Sequence, residues 1–92
     1  MLEAKVKVIN QLGLHARAAA QLVRLAAKFE SRIILIREDN AVIADAKSIL
    51  SVLTLAAAKG TEMKLQVDGT DEQAALQSTF DLFANGFGEL GE

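Results

Sequence analysis

The stretch Asn10-Gln11-Leu12-Gly13-Leu14-His15-Ala16-Arg17-Ala18-Ala19-Ala20 joins two different hydrophobic periods. Before it, Ala4, Val6 and Val8 alternate with Glu3, Lys5 and Lys7, the two-residue period of a half-buried strand expected over residues 2–9. After it, Ala19, Leu22, Val23, Ala26 and Phe29 recur at steps of three and four, which predicts an amphipathic helix from Ala16 to Lys28. Gly13 gives the backbone freedom for the sharp turn between them. The chain's one histidine, His15, is therefore expected at or just before the first helical turn, with Arg17 inside that turn.

That placement has chemical content. A helix start offers backbone N–H groups without partners and carries partial positive charge, so it binds anions and disfavours an imidazolium. A histidine there keeps a nucleophilic nitrogen. Arg17 adds a permanent charge whose forked donors suit phosphate oxygens. The plainer alternative is a loop histidine facing solvent beside an ordinary arginine. The helix face opposite the apolar stripe carries Arg17, Gln21, Arg24 and Lys28, a basic ridge on a chain whose net charge is −2. Such a face is commonly just solvated; next to a phosphate site it would steer an acidic partner.

Further along, Ile33-Ile34-Leu35-Ile36 within Arg32–Arg37 reads as a strand apolar on both faces. Asp39-Asn40 is expected to turn the chain, and residues 41–44 to return as a short third strand. Ser48 precedes the run Ile49, Leu50, Val52, Leu53 and Leu55 and reads as the N-cap of a second helix, with Gly60 as its stop. Five apolar residues are too many for one side of a short helix, so part of that surface is expected to stay exposed near His15. The alternative places all five in the core. Met63, Leu65 and Val67 mark a fourth strand, and Asp68-Gly69 a turn. Thr70-Asp71-Glu72-Gln73 reads as a capping box for a last helix with Leu76, Phe80, Phe83 and Phe87 on its buried face and Asn85-Gly86 as its stop.

The order is thus β-α-β-β-α-β-α, an α+β fold in one domain spanning residues 1–92, with helices gathered on one sheet face. With four aromatics, all phenylalanine, the core must be built from Leu, Ile, Val and Ala. No cysteine excludes disulfides and thiolate metal sites and suits a cytoplasmic location, and one histidine cannot form a histidine cluster for metal. The charged first ten residues do not resemble a secretory signal, and nothing approaches the roughly eighteen apolar residues of a membrane span, so no membrane insertion is expected. A basic surface interleaved with aromatics is missing, which argues against a nucleic-acid partner.

Gly13-Leu14-His15-Ala16-Arg17 followed by small residues, together with Ala46-Lys47-Ser48-Ile49-Leu50 through Leu53-Thr54-Leu55, resembles the HPr family of histidine-containing phosphocarriers. These serve the bacterial phosphoenolpyruvate-dependent phosphotransferase system, and the likeness runs from about Val6 to Phe87. It implies an open-faced β-sandwich in which a four-stranded antiparallel sheet, ordered 1-4-2-3, lies under three helices. It also implies a monomeric phosphoryl carrier, not an enzyme in its own right, working without metal or cofactor. Enzyme I would phosphorylate His15 on Nδ1, and an A-type domain of an enzyme II would take the group on. By the same resemblance Arg17 stabilises the moving phosphoryl group, and Ser48 is a regulatory serine for a kinase and phosphorylase. Ala20, Ile49, Leu50 and Leu53 would form the partner surface, with Arg24 and Lys28 at its rim. A regulator of this fold that binds partners without transferring phosphate is the rival reading, and the presence of His15 favours the carrier.

Two positions depart from the family pattern. Ala18 stands where proline is usual, giving up a preset first turn but restoring an N–H that a phosphate could use. Ser51 stands where some sugar-branch members have glycine. The segment Leu82–Phe87 resembles nitrogen-related members while Lys47-Ser48 resembles kinase-regulated ones, so the residues leave the branch open.

Overall fold

Alternating side chains of β1 (Leu2–Lys7) and β4 (Glu62–Asp68) put Val6, Met63, Leu65 and Val67 on one face, and these pair antiparallel from Leu2–Val67 to Lys7–Glu62. In this computed structural model, which describes residues 1–89, β4 is a central strand. Its other edge pairs antiparallel with β2 (Arg32–Arg37), and β2 in turn with β3 (Ile43–Asp45), giving the sheet order β1-β4-β2-β3. Three helices, α1 (Ala16–Ala26), α2 (Ile49–Leu53) and α3 (Glu72–Ala84), complete the fold. The sheet residues Val6, Ile33, Leu35, Met63, Leu65 and Val67 and the helix residues Ala19, Leu22, Ala26, Val52, Ala75 and Phe83 share one buried cluster. Ile34 and Ile36 point to the other, open face, as an unbroken apolar strand covered on one side requires.

Several boundaries differ from the expectations, each for an identifiable reason. β1 ends at Lys7 by strand pairing, although Val8 still exchanges backbone bonds with residues 60–61, its N–H with Thr61 O at 2.9 Å and its carbonyl with the Gly60 N–H at 2.7 Å. α1 stops at Ala26, and Lys28 N–H closes a tighter turn onto Leu25 O. Between β2 and β3 the left-handed residue is Ala41 (φ 59°), not Asp39 or Asn40. Those two instead use their side chains: Asp39 binds Arg37, and Asn40 Oδ1 accepts from Val42 N–H at 3.0 Å. β3 accordingly starts two residues late, at Ile43.

Gly60 does not end α2. The helix finishes at Leu53, Ala56 turns left-handed (φ 48°), and Gly60 (φ 95°) turns the chain into β4. The capping box at Thr70 is not formed either. Asp71 is the N-cap of α3, and its carboxylate leaves the helix to accept from Glu30 N–H, Ser31 N–H and the Ser31 hydroxyl. Those bonds, the Ser31 hydroxyl's first, hold its pKa below the usual carboxylate range. Only Glu72 keeps a box-like role, accepting from Gly69 N–H at 3.1 Å. α3 is also rotated from the expected stripe. Ala75, Thr79 and Phe83 are buried while Phe80 is 40% exposed, because small side chains let the helix approach the sheet.

Candidate phosphoryl-transfer site

The turn before α1 is held by three backbone and side-chain contacts. Gly13 N–H donates to Asn10 O at 3.1 Å, Leu14 N–H donates to Ala57 O at 2.8 Å, and the Asn10 amide donates to Gly13 O at 2.8 Å. Gly13 takes φ 70°, and a Cβ there would lie 2.7 Å from Ala57 O. The turn that aims His15 is therefore docked against the segment following α2.

His15 is the N-cap of α1, extended in backbone, and its carbonyl accepts the first helical bond from Ala19 N–H at 2.8 Å. Its ring makes no cap bond. Instead Nε2 lies 2.6 Å from Glu89 Oε2, with the two side chains 25% and 16% exposed. Glu89 Oε1 accepts from the buried Asn10 amide at 2.9 Å. The Asn10 bond, then the His15 bond, hold the Glu89 pKa below its ordinary value, and the Arg17 charge adds to this. The helix start is therefore not the only field on the ring: a carboxylate faces it from the other side.

Glu89 reaches His15 across 74 residues of chain because the segment after α3 reverses sharply. Gly86, Phe87 and Gly88 all have positive φ (63°, 58° and 75°). Phe87 is anchored in the core, its ring edge-on to Phe83 with centroids 5.0 Å apart. Its carbonyl accepts from the Gln21 amide of α1 at 3.2 Å. Gln21, read from sequence as part of a basic ridge, thus serves as a tie, while Arg17, Arg24 and Lys28 are exposed. Neither Glu89 nor Asn10 was expected at the site. The available signal was the Gly-Phe-Gly triplet, since two glycines flanking an aromatic after a helix stop mark a chain reversal.

Around this centre, a cleft of about 420 Å³ opens between Gln11, Leu12, Arg17 and Glu89. Ala20 is half-buried on α1. On α2, Leu50 is 73% exposed and Ile49 and Leu53 are each 38% exposed, whereas Val52 and Leu55 are in the core. The apolar run thus divides between core and surface. Ser48 caps α2, its hydroxyl accepting from Ser51 N–H at 3.3 Å, and the Ser51 hydroxyl in turn accepts from Asp45 N–H at 2.9 Å. Ser51, the position that departs from glycine, so ties α2 to β3.

Ala18 has no exposed surface, so its N–H is not offered to an outside phosphate; the exposed residues of the first turn are Ala16 and Arg17. Nor does that buried amide find an acceptor among the described residues. Ala18→Pro is therefore expected to stabilise the protein. It removes an orphan donor and stiffens the unfolded chain, together worth about 1 kcal/mol, or roughly 4–8 °C in Tm. A thermal melt followed by circular dichroism checks this, and an unchanged or lower Tm would contradict it.

Comparison with known proteins settles the family. The family model described as "PTS HPr component phosphorylation site" matches residues 2–85. This chain belongs to the HPr family. The phosphocarrier protein HPr of Cupriavidus necator is 47% identical over 89 residues, covering 97% of this chain and 98% of its own. The HPr of Xylella fastidiosa (strain Temecula1) is 46% identical with the same coverage. Among solved structures, HPr-C-His from Thermoanaerobacter tengcongensis superposes with a TM-score of 0.89 at 38% identity, covering 97% of this chain and 98% of that one. The expected open-faced sandwich is thus the fold both of this chain and of solved HPr structures. As a member of this family, the chain is a phosphocarrier of the phosphotransferase system rather than a catalytic enzyme. Among the described residues, no helix is long and apolar enough to cross a membrane.

Proposed function

We propose that this HPr-family protein accepts a phosphoryl group from enzyme I on His15 Nδ1 and passes it to an A-type domain of an enzyme II. The observation that carries the reading is the position of His15. It caps α1 beside the exposed Arg17, with Nε2 engaged by Glu89 and no partner for Nδ1 among the described residues. In the transfer the Nδ1 lone pair forms a new P–N bond as the P–N bond in phosphorylated enzyme I breaks. The electron pair of the broken bond returns to the donor's ring nitrogen. Such transfers need positioning and charge stabilisation above all. The N–H groups of the first turn of α1 and the Arg17 guanidinium supply that charge. Arg24 in the last turn of α1 and Lys28 just beyond it act on encounter with an acidic partner, and Ala20, Ile49, Leu50 and Leu53 supply apolar contact.

The test is incubation with enzyme I and phosphoenolpyruvate, then mass spectrometry at neutral pH, since acid hydrolyses phosphohistidine. One phosphoryl group on His15 is expected. An unmodified protein, or a group on another residue, would overturn the reading.

Ser48 is the second element of the proposal, as a regulatory site for a serine kinase and phosphorylase. A phosphate there would bring about two negative charges to the base of the apolar patch. Ser48→Asp separates charge from capping, because aspartate caps helices as well as serine does. The variant is expected to keep its Tm and to accept phosphoryl groups from enzyme I about tenfold more slowly. Transfer at the native rate would remove the regulatory role.

A further inference from the structure

The contact between Glu89 and His15 has consequences for which ring nitrogen reacts. Glu89 is a carboxylate held below its ordinary pKa by Asn10, His15 and Arg17, so both its oxygens can only accept hydrogen bonds. Oε1 is filled by the Asn10 amide, and Oε2 lies 2.6 Å from Nε2. The proton of a neutral imidazole must then sit on Nε2, which leaves the lone pair on Nδ1. We propose that Glu89 is a positioning residue for phosphoryl transfer: it fixes the Nε2–H tautomer of His15, aims Nδ1 outward and balances the positive charge that the ring acquires as Nδ1 attacks phosphorus.

Glu89 meets the ring through a built arrangement and not through a stray surface contact. Asn10 is fully buried and spends both donors of its amide, one on Gly13 O in the turn that aims His15 and one on Glu89. A single side chain thus fixes the histidine's turn and the histidine's partner relative to each other. On the other flank, Phe87 is held left-handed, which a non-glycine residue adopts at a cost, and it stays so because its ring is buried and its carbonyl is bound by Gln21. That strain brings Glu89 round to the head of α1. In the transfer the Nε2–H proton stays on the ring and Glu89 stays ionised. No proton moves along the contact, and the carboxylate acts by orientation and charge, as the aspartate does in a serine-protease triad.

The inference rests on His15 being the phosphoryl acceptor, and two measurements keep the two claims apart. The first is ¹⁵N NMR of the His15 ring in the unmodified protein, which involves no partner. The neutral ring is expected to be protonated on Nε2, and Glu89→Gln, of nearly the same shape, to give a mixture of tautomers. A native ring protonated mainly on Nδ1 would overturn the proposal. The second is steady-state transfer from phosphorylated enzyme I. Glu89→Gln should lower kcat on the order of 10–100-fold, the loss typical when a histidine's orienting partner is removed, with KM unchanged. A variant with native kcat, or one in which KM alone changes, would also overturn it. If neither native nor variant protein is labelled on His15, the acceptor reading fails, and with it the role of Glu89 in transfer.

Discussion

His15→Ala is expected to abolish phosphoryl acceptance from enzyme I while leaving the fold in place. The two halves of that result have separate causes. Acceptance is lost entirely because His15 is the chain's one histidine, and no other side chain near the head of α1 offers a neutral nitrogen lone pair: Arg17 is cationic, and Gln21 is an amide tied to Phe87. The fold persists because the ring contributes little to it. It makes no capping bond, is a quarter exposed, and its one hydrogen bond among the described residues is to Glu89. The capping bond that matters uses the backbone carbonyl, which alanine keeps. Labelling with radioactive phosphoenolpyruvate and a thermal melt measure the two halves. Retained label in the variant would show that the acceptor lies elsewhere. A large fall in Tm would show that the ring is structural.

A large effect on stability is expected at Gly13→Ala. The residue sits at φ 70°, which costs an L-residue roughly 1–2 kcal/mol. In addition, its methyl would lie 2.7 Å from Ala57 O and 3.0 Å from Ala58 Cα, both backbone atoms that cannot rotate away. Moving that segment breaks the 2.8 Å bond from Leu14 N–H to the same Ala57 carbonyl. Overpacking of this kind adds about 1–3 kcal/mol, so the total is roughly 2–5 kcal/mol and the Tm falls on the order of 10–40 °C. Gly60→Ala provides the control. Its φ of 95° is equally foreign to alanine, but nothing lies within 4 Å of the added methyl. It should show the backbone cost without the clash. Equal losses at the two positions would mean that contact with Ala57 is not what requires glycine. Because the Gly13 turn aims His15, the Gly13 variant should also transfer phosphate poorly at temperatures where it remains folded.

How much of this was legible in the sequence depended on the range of the interaction. Val6 and Val8, Met63 to Val67, and Leu22 to Ala26 announced their elements because burial on one face writes a period into the chain. The exposed part of α2 could be anticipated by counting, since the apolar run Ile49, Leu50, Val52, Leu53 and Leu55 exceeds what one side of a short helix can hide. Ser48 read correctly as a cap because its partner, Ser51, is three residues away. The failures involve side chains that chose distant partners. Asp71 resembled one half of a local capping box but bonds to residues 30 and 31. Gln21 looked like a solvated ridge residue but holds Phe87. Asn10 and Glu89 carry no periodic signal at all, and their meeting depends on a chain reversal at Gly86–Gly88. At the candidate site, then, His15 and Arg17 could be read from their neighbours in sequence, and the groups that support them could not.

The placement of β4 bears on how the protein is made. β1 is synthesised first, yet it pairs with no strand until residues 62–68 exist, and β4 must also form before β2 has its second neighbour. At about 5–20 residues per second, the 60 positions from Leu2 to Glu62 take roughly 3–12 s to synthesise. During that interval the emerging chain carries apolar strands with open edges and no sheet. Glu89 arrives later still, so His15 leaves the ribosome long before the carboxylate that meets its ring. A chain that stopped before residue 89 would keep every strand of the sheet and the histidine but lose the contact between His15 and Glu89. Proteolysis or early termination near residue 88 would thus yield a protein that folds as an HPr while presenting a histidine whose ring nothing orients.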